Sequence, residues 1–233
     1  MSKCRILNLC NSNDLKSIQC FYKLQSIVNI SGDRVASELL IDRLKLTSNL
    51  YDLERKLRFG SLCANALNTA SKLSFEKELF INIERRNLCD IKTLIHIRDA
   101  SISLCDLGVK LVIEITERNL CGNCPRIAEG LTFLRQCAIS LAVDDYDYIN
   151  YDFREDEVKK NNYYEYIKIT MASNENELKK MNEFIKILSE THKIIIERIE
   201  NEKEIYKIDQ KYIWGMQGFA FCNGVSLPHH ISS

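Results

Sequence analysis

Chain breakers are scarce, with two prolines and eight glycines in 233 residues. No linker, low-complexity tract or internal repeat is visible, which excludes a disordered spacer or a solenoid and leaves a single domain over 1–233 as the expectation. An excess of one charge is lacking too: Lys plus Arg and Asp plus Glu stand at 32 each, so the formal net charge is zero. No global basic field exists to hold a nucleic-acid backbone, and duplex nucleic acid is not an expected partner. No apolar stretch approaches the roughly 20 residues of a membrane-spanning helix. Met1 to Asp14 lacks the apolar core of a signal peptide. The expectation is a cytoplasmic chain without a membrane partner.

Cysteine is plentiful, at ten residues. Cys63, Cys89, Cys105, Cys137 and Cys222 lie in apolar surroundings and read as free thiols acting as small core residues. The one close pair, Cys121-Gly122-Asn123-Cys124, has no second pair or histidine cluster at zinc-finger spacing beside it. A structural loop is the reading for it, ahead of redox or metal chemistry.

Six short apolar runs each end on a carboxylate, an amide or a lysine. They are Val35 to Glu38, Phe80 to Asn82, Leu111 to Glu114, Ile139 to Asp145, Tyr166 to Lys168 and Ile194 to Glu197. Length and β-branched content mark them as buried strands. Between them lie helical patterns over 62–73, 90–106, 125–136 and 202–208, and one after Ser173 or Asn174 that carries Leu178, Met181, Ile185 and Leu188. Phe21 to Ile30 and Arg34 to Ile41 read as a hairpin around Ser31-Gly32-Asp33. A last strand is expected near Gly215 to Phe221. The alternation gives an α/β class with a closed or nearly closed parallel sheet. In Ser140 to Asp144, small Ser140 and Ala142 share the Asp144 face while Leu141 and Val143 share the other, the parity of a barrel strand covered by helices. Residues 146–164 form a long, aromatic-rich connection, which reads as a lid or a partner surface.

Singly, each strand-end charge is unremarkable: a cap, a helix-dipole partner or a snorkelling lysine. Repeated on strand after strand, the charges converge at the carboxyl ends of a parallel barrel, where barrel enzymes build their sites. Glu38, Asn82, Glu114, Asp144 and Asp145 offer oxygen ligands only, the preference of Mg²⁺ or Mn²⁺ rather than zinc. Crowded carboxylates repel unless cations neutralise them, and a pair of metals suits phosphodiester cleavage. Asp145 is the candidate bridge between two ions. Lys168 would steady the hydroxide or the phosphoryl oxygens, and Glu197 would accept a proton from the attacking water.

At these residues, from about Leu24 to Pro228, the chain resembles the EAL-domain family, bacterial phosphodiesterases specific for cyclic di-GMP. Glu38-Leu39-Leu40 stands at the Glu-Ala-Leu signature and Phe80 to Ile83 at the Asn strand. Glu114-Ile115-Thr116-Glu117 matches Glu-Leu-Thr-Glu, and Asp144-Asp145-Tyr146 stands at Asp-Asp-Phe. Tyr166 to Ile169 matches Tyr-Ile-Lys-Ile, Glu197 to Glu200 stands at Glu-Gly-Val-Glu, and Gln217-Gly218-Phe219 matches the closing Gln-Gly-aromatic motif. The resemblance implies a TIM-type (β/α)8-like barrel with an irregular antiparallel first strand, two Mg²⁺ or Mn²⁺ ions, and hydrolysis of cyclic di-GMP to pGpG. It implies metal ligation by Glu38, Asn82, Glu114 and Asp144, with Asp145 reaching the second ion. Lys168 would position the catalytic water and Glu197 would be the base or a further ligand, with Gln25, Arg43, Glu200 and Gln217 on the substrate side. A homodimer is also implied.

The sequence departs from that pattern in places. Asp42 holds the position of a phosphate-gripping Arg, with Arg43 one step on. Gln25-Ser26-Ile27 replaces Gln-Pro-Ile, and Asp147-Tyr148-Ile149 replaces Gly-Thr-Gly. Arg198 replaces a Gly, and Thr170 replaces an acidic residue. The metal ligands are kept while the substrate contacts and the coupling loop are altered. Three functions follow in order: a metal-dependent cyclic di-GMP phosphodiesterase; a degenerate EAL protein that binds a regulatory protein through 146–164; and a receptor that binds cyclic di-GMP without cutting it. Exposure of Tyr148, Tyr151 and Phe153 in one patch would favour the second.

Overall fold

Alternating side chains in Tyr22–Val28 (β1) and Arg34–Ile41 (β2) pair antiparallel, with Gln25 opposite Glu38. Asn29 makes the turn: its side-chain oxygen accepts the N–H groups of Ser31 and Asp33 at 2.9 Å each, while Gly32 takes φ 83°. That φ suits glycine, which has no Cβ to clash. The computed structural model describes residues 22–41, 70, 77–116, 124–150, 152–222 and 224–226. The helical pattern expected over 62–73 lies outside the described residues, apart from Ala70.

Six parallel strands follow in register: Glu78–Glu84 (β3), Lys110–Thr116 (β4), Ser140–Val143 (β5), Tyr166–Thr170 (β6), Lys193–Glu197 (β7) and Gly215–Met216 (β8). The sheet runs β2-β3-β4-β5-β6-β7-β8-β1, with β1 also paired to β2, so it closes on itself. A two-residue strand, Val225–Ser226 (β9), adds to β1. The first strand is antiparallel to both neighbours and slips register between Ile27 and Val28, the irregularity expected of it.

Helices cover the outside. Ile91–Cys105 (α1) is capped by Asp90, Pro125–Gln136 (α2) begins on its proline, and Glu175–Leu188 (α4) is capped by Asn174, whose side chain accepts the Glu177 N–H at 3.0 Å. Met181, Ile185 and Leu188 are buried, as their spacing predicts. A short helix, Glu155–Lys159 (α3), lies in the long connection. The helix expected over 202–208 is a 3₁₀ turn at Glu202–Lys207, tied by a capping box at Asn201. The strand expected over 215–221 stops at Met216. Beyond it the Ala220, Phe221 and Cys222 N–H groups turn back onto the carbonyls of Ile199 and Gly218 instead of a neighbouring strand.

Period-two alternation sorts the strand residues. Leu111, Ile113, Leu141, Val143, Ile167, Ile169, Ile194 and Ile196 pack outward under the helices. Ile27, Ala36, Phe80, Val112, Ala142, Tyr166 and Ile195 fill the barrel interior, joined by Trp214. Phe80 and Trp214 meet Tyr166 edge-on, with ring centroids 5.0 and 5.1 Å away, contacts worth about 0.5–1.5 kcal/mol each beyond burial. Below this layer Lys110 and Lys193 pair with Glu165, closing the amino-terminal end. Cysteine does not fill the core as expected: Cys89 and Cys105 are exposed, and Cys124, Cys137 and Cys222 are half-buried free thiols. Cys105 lies in the last turn of α1 on its outer side, while Leu94, Ile97 and Leu104 occupy the buried face. Cys63 and Cys121 lie outside the described residues. Among those residues no helix is long and apolar enough to cross a membrane.

Candidate active site

Six of the interior residues, one on each of β2 to β7, lie two positions before a polar group at the carboxyl end of the same strand. Ala36 leads to Glu38, Phe80 to Asn82, Val112 to Glu114, Ala142 to Asp144, Tyr166 to Lys168 and Ile195 to Glu197. Because successive side chains alternate faces, filling the interior with the first set obliges the second to point into the barrel mouth. Strand register does the rest: Asn82 lies beside Glu114 across β3 and β4.

Lys168 stands at the centre, with only 1% of its side chain exposed. Its Nζ lies 3.0 Å from Glu38 Oε2, 3.0 and 2.9 Å from the two oxygens of Glu114, 2.9 Å from Glu197 Oε1 and 4.0 Å from Asp144 Oδ1. Asn82 Nδ2 donates to the other oxygen of Glu38. Gln217 Nε2 donates to Glu38 Oε2 at 2.7 Å and to Gln25 Oε1 at 3.0 Å, and Gln25 Nε2 donates to the Cys222 carbonyl at 3.2 Å. Asp145 accepts from Thr170 Oγ1 at 3.2 Å and faces an Arg198 nitrogen at 3.6 Å. Asp144, Asp145 and Glu197 each place one carboxylate oxygen within 4.8 Å of the other two.

These groups line or underlie a cleft of about 400 Å³, within the usual size of a small-molecule site. Gln25, Glu38, Asn82, Asp144, Asp145, Glu197, Glu200 and Gln217 border it. Glu114 is fully buried, and with Lys168 it lies beneath the cleft rather than along its walls. Of the residues the sequence points to, only Arg43 is missing from this group; it lies outside the described residues. Lys23, Arg198 and Phe219 also border the cleft.

Six carboxylates line or underlie this cleft with one buried ammonium, and the proton affinities of Glu38, Glu114 and Glu197 record the imbalance. Burial pushes the Glu114 carboxyl well up, and the neighbouring Glu38 charge adds to it against the pull of Lys168. Glu197 is raised to about 8, chiefly by burial, with Lys168 opposing and Asp144 and Glu38 reinforcing. Burial acts on Glu38 too, but Lys168 and the bonds from Gln217 and Asn82 outweigh it and hold that carboxyl low. Lys168, which burial alone would discharge, is kept charged by Glu114, Glu197 and Glu38. An all-oxygen donor set with surplus negative charge fits hard divalent cations. The Gln217 side-chain oxygen is also buried and has no hydrogen-bond partner, which leaves a polar acceptor beside Glu38.

The described aromatic residues of the connection over 146–164 pack inward and do not form the exposed patch that would favour a partner surface. Tyr146 and Tyr164 are buried, Tyr146 and Tyr148 pack on Phe184, and Phe153 lies between the guanidinium groups of Arg85 and Arg154 at 5.1 and 5.4 Å. Tyr151 lies outside the described residues. Two buried ion pairs hold the segment inward, Arg154 with Asp152 and Arg85 with Glu157, and the latter carboxylate also accepts from Tyr164 at 2.9 Å. Sequence reading missed all four charged residues. Their only signal is alternating charge among aromatics, which an exposed loop would show equally.

No protein-family model matches the chain, and no curated protein matches it. Solved structures do. An EAL domain protein from Listeria monocytogenes has a TM-score of 0.69 at 13% identity, covering 98% of this chain and 96% of that one. The PaMucR phosphodiesterase, in complex with c-di-GMP, has a TM-score of 0.65 at 15% identity over 89% and 96% of the two chains. Klebsiella pneumoniae BlrP1, in a manganese/cy-diGMP complex, has a TM-score of 0.68 at 18% identity, covering 91% of this chain and 57% of that chain. The closed α/β barrel with an antiparallel first strand is the fold of the EAL domains.

Proposed function

We propose that the chain is a metal-dependent phosphodiesterase that opens cyclic di-GMP to linear pGpG. The observation that carries this reading is the gathering of Glu38, Asn82, Glu114, Asp144, Asp145, Lys168 and Glu197 at one barrel mouth. The c-di-GMP complexes of PaMucR and BlrP1, one with manganese, support the same substrate and metal class. Two Mg²⁺ or Mn²⁺ ions held by Glu38, Asn82, Glu114 and Asp144, with Asp145 reaching the second, would supply Lewis-acid polarisation and a hydroxide at neutral pH. Lys168 fixes the Glu38, Glu114 and Glu197 carboxylates relative to one another. Glu197 is the candidate to take a proton from the attacking water. Gln217 holds Glu38 in place through its 2.7 Å bond, and Gln25, Glu200 and Arg43 serve the substrate side.

One observation supports the receptor reading as a second. Asp145 is already engaged by Thr170 and by the Arg198 cation, a competitor for the charge a second ion would need. Incubation of the purified chain with cyclic di-GMP and Mn²⁺, with product analysis, separates the readings. Formation of pGpG, abolished by Glu38→Ala, is the expected result. Bound but uncut nucleotide would replace the enzyme with the receptor, and neither binding nor turnover would leave the protein-partner reading. The homodimer belongs to this same proposal, and sedimentation velocity reads it directly.

A further inference from the structure

We infer that Arg154 is a positioning residue that fixes the Asp144-Asp145 turn so that both carboxylates face the cleft. The inference rests on the reading above, in which those aspartates hold divalent cations. Asp145 has φ 44°, a left-handed conformation that is uncommon outside glycine, although aspartate is among the residues that adopt it, and contacts to its backbone help to hold it there. Arg154 supplies such contacts. Its Nη1 donates to the Asp144 carbonyl at 2.8 Å and to the Ile115 carbonyl at 3.4 Å, and its Nη2 donates to the Asp145 carbonyl at 3.2 Å. One planar group thus ties together the ends of β4 and β5 and the turn beyond them.

The guanidinium is itself held. Asp152 accepts from its Nε at 2.9 Å and from its Nη2 at 2.7 Å, and also takes the backbone N–H of Arg154 at 2.8 Å and of Asp147 at 3.1 Å. The Asp152 charge offsets that of Arg154, so the pair contributes geometry to the site rather than a net charge. Arg154 is buried and does not border the cleft, so it acts through the aspartates and not on a substrate. A lysine cannot replace it, because one ammonium lacks the fork that reaches three carbonyls and two carboxylate oxygens together.

Mn²⁺ binding, followed by the electron paramagnetic resonance of free Mn²⁺, tests this without reference to turnover. Groups that orient metal ligands are typically worth 10–100-fold in affinity. Arg154→Lys, confirmed folded by circular dichroism, is expected to weaken Mn²⁺ binding by about that factor. Tyr164→Phe removes a buried hydrogen bond from the same connection but touches neither aspartate, and is expected to lower the melting temperature while leaving affinity within about twofold. Should Arg154→Lys fail to fold, Asp152→Glu decides: it keeps the charge balance but displaces the holder of the fork, and a loss of about tenfold is expected. Wild-type affinity in a folded Arg154→Lys, or in Asp152→Glu where that variant decides, overturns the positioning role alone. No Mn²⁺ binding by the wild-type chain overturns the metal reading and this inference with it.

Discussion

Replacing Lys168 by methionine tests whether the carboxylates at the barrel mouth form one electrostatic unit. The side chains are close in volume, so packing changes little while the charge disappears. The wild-type ammonium lies 3.0, 2.9 and 2.9 Å from Glu38, Glu114 and Glu197. Breaking a buried ion pair by removing one partner costs about 3–5 kcal/mol, because the other charge stays uncompensated. A chain of this size shifts its melting temperature by about 2–4 °C per kcal/mol, so Lys168→Met should melt about 6–20 °C below wild type in EDTA. The lower end applies wherever Glu114 and Glu197, already raised, take up protons in place of the lost cation, and for Glu197, near 8 even beside Lys168, that includes neutral pH. Manganese should reverse part of the loss: at a hundredfold excess over Kd it adds about 2.7 kcal/mol, or about 5–11 °C. Circular dichroism melts of both proteins, with EDTA and with Mn²⁺, give the four numbers required. A variant that melts with or above wild type in EDTA would refute the reasoning, since the carboxylates would then not depend on a shared cation.

Three further outcomes follow from the same structure. Arg198→Gly should raise the melting temperature by about 1–4 °C, because Arg198 sits at φ 58° while its exposed pair with Asp145 is worth little; no rise would mean the strain is already relieved. Gly218→Ala should lower it by about 6–12 °C, since an added Cβ would meet the Ile199 carbonyl oxygen at 2.1 Å; a neutral result would show that the 197–200 turn moves freely away from Gly218. Acid should weaken the fold through Glu165, whose carboxyl burial would raise but Ser140, Lys110 and Lys193 hold down at about 2. That contribution is present above its ordinary value near 4.5, is lost as pH falls towards 2, and amounts to about 1 kcal/mol after screening of so exposed a group. Urea midpoints of wild type and Glu165→Gln should therefore converge in acid, and parallel pH profiles would count against the assignment.

Several elements were legible because their information is local. Ser31-Gly32-Asp33 marks the hairpin turn, Asn174 is one of the two caps read for its helix, and the parity of Ser140 to Asp144 places Ala142 inside the barrel and Leu141 outside, although the turn-making role of Asn29 was not read. The strand-end charges of the candidate site were legible for the same reason: alternation fixes their face once the apolar partner two positions earlier is known to be buried. Arg198 was visible as a departure from a glycine, and its left-handed backbone supplies the physical reason a glycine suits that place. The inward fold of 146–164 was not legible. Aromatic and charged residues mixed in one connection fit a wet surface as well as a packed one. What decides between them is whether Arg85 from β3's end and Phe184 from α4 are there to receive them.

Local pattern alone therefore located most of the strands, the face each residue presents, and the carboxylates, amide and lysine at strand ends, while the end of the last strand at Met216 was set by the turn that follows it. Only the closed barrel decided that they meet. Glu38 and Lys168 are 130 positions apart, and Gln217 reaches Glu38 across 179. Contacts at such separations arise from sheet register and closure, which no short window of sequence encodes. The same closure decided that Arg154 would be buried beneath the paired aspartates rather than left in water, because a strand end has to be roofed by whatever segment the chain next supplies.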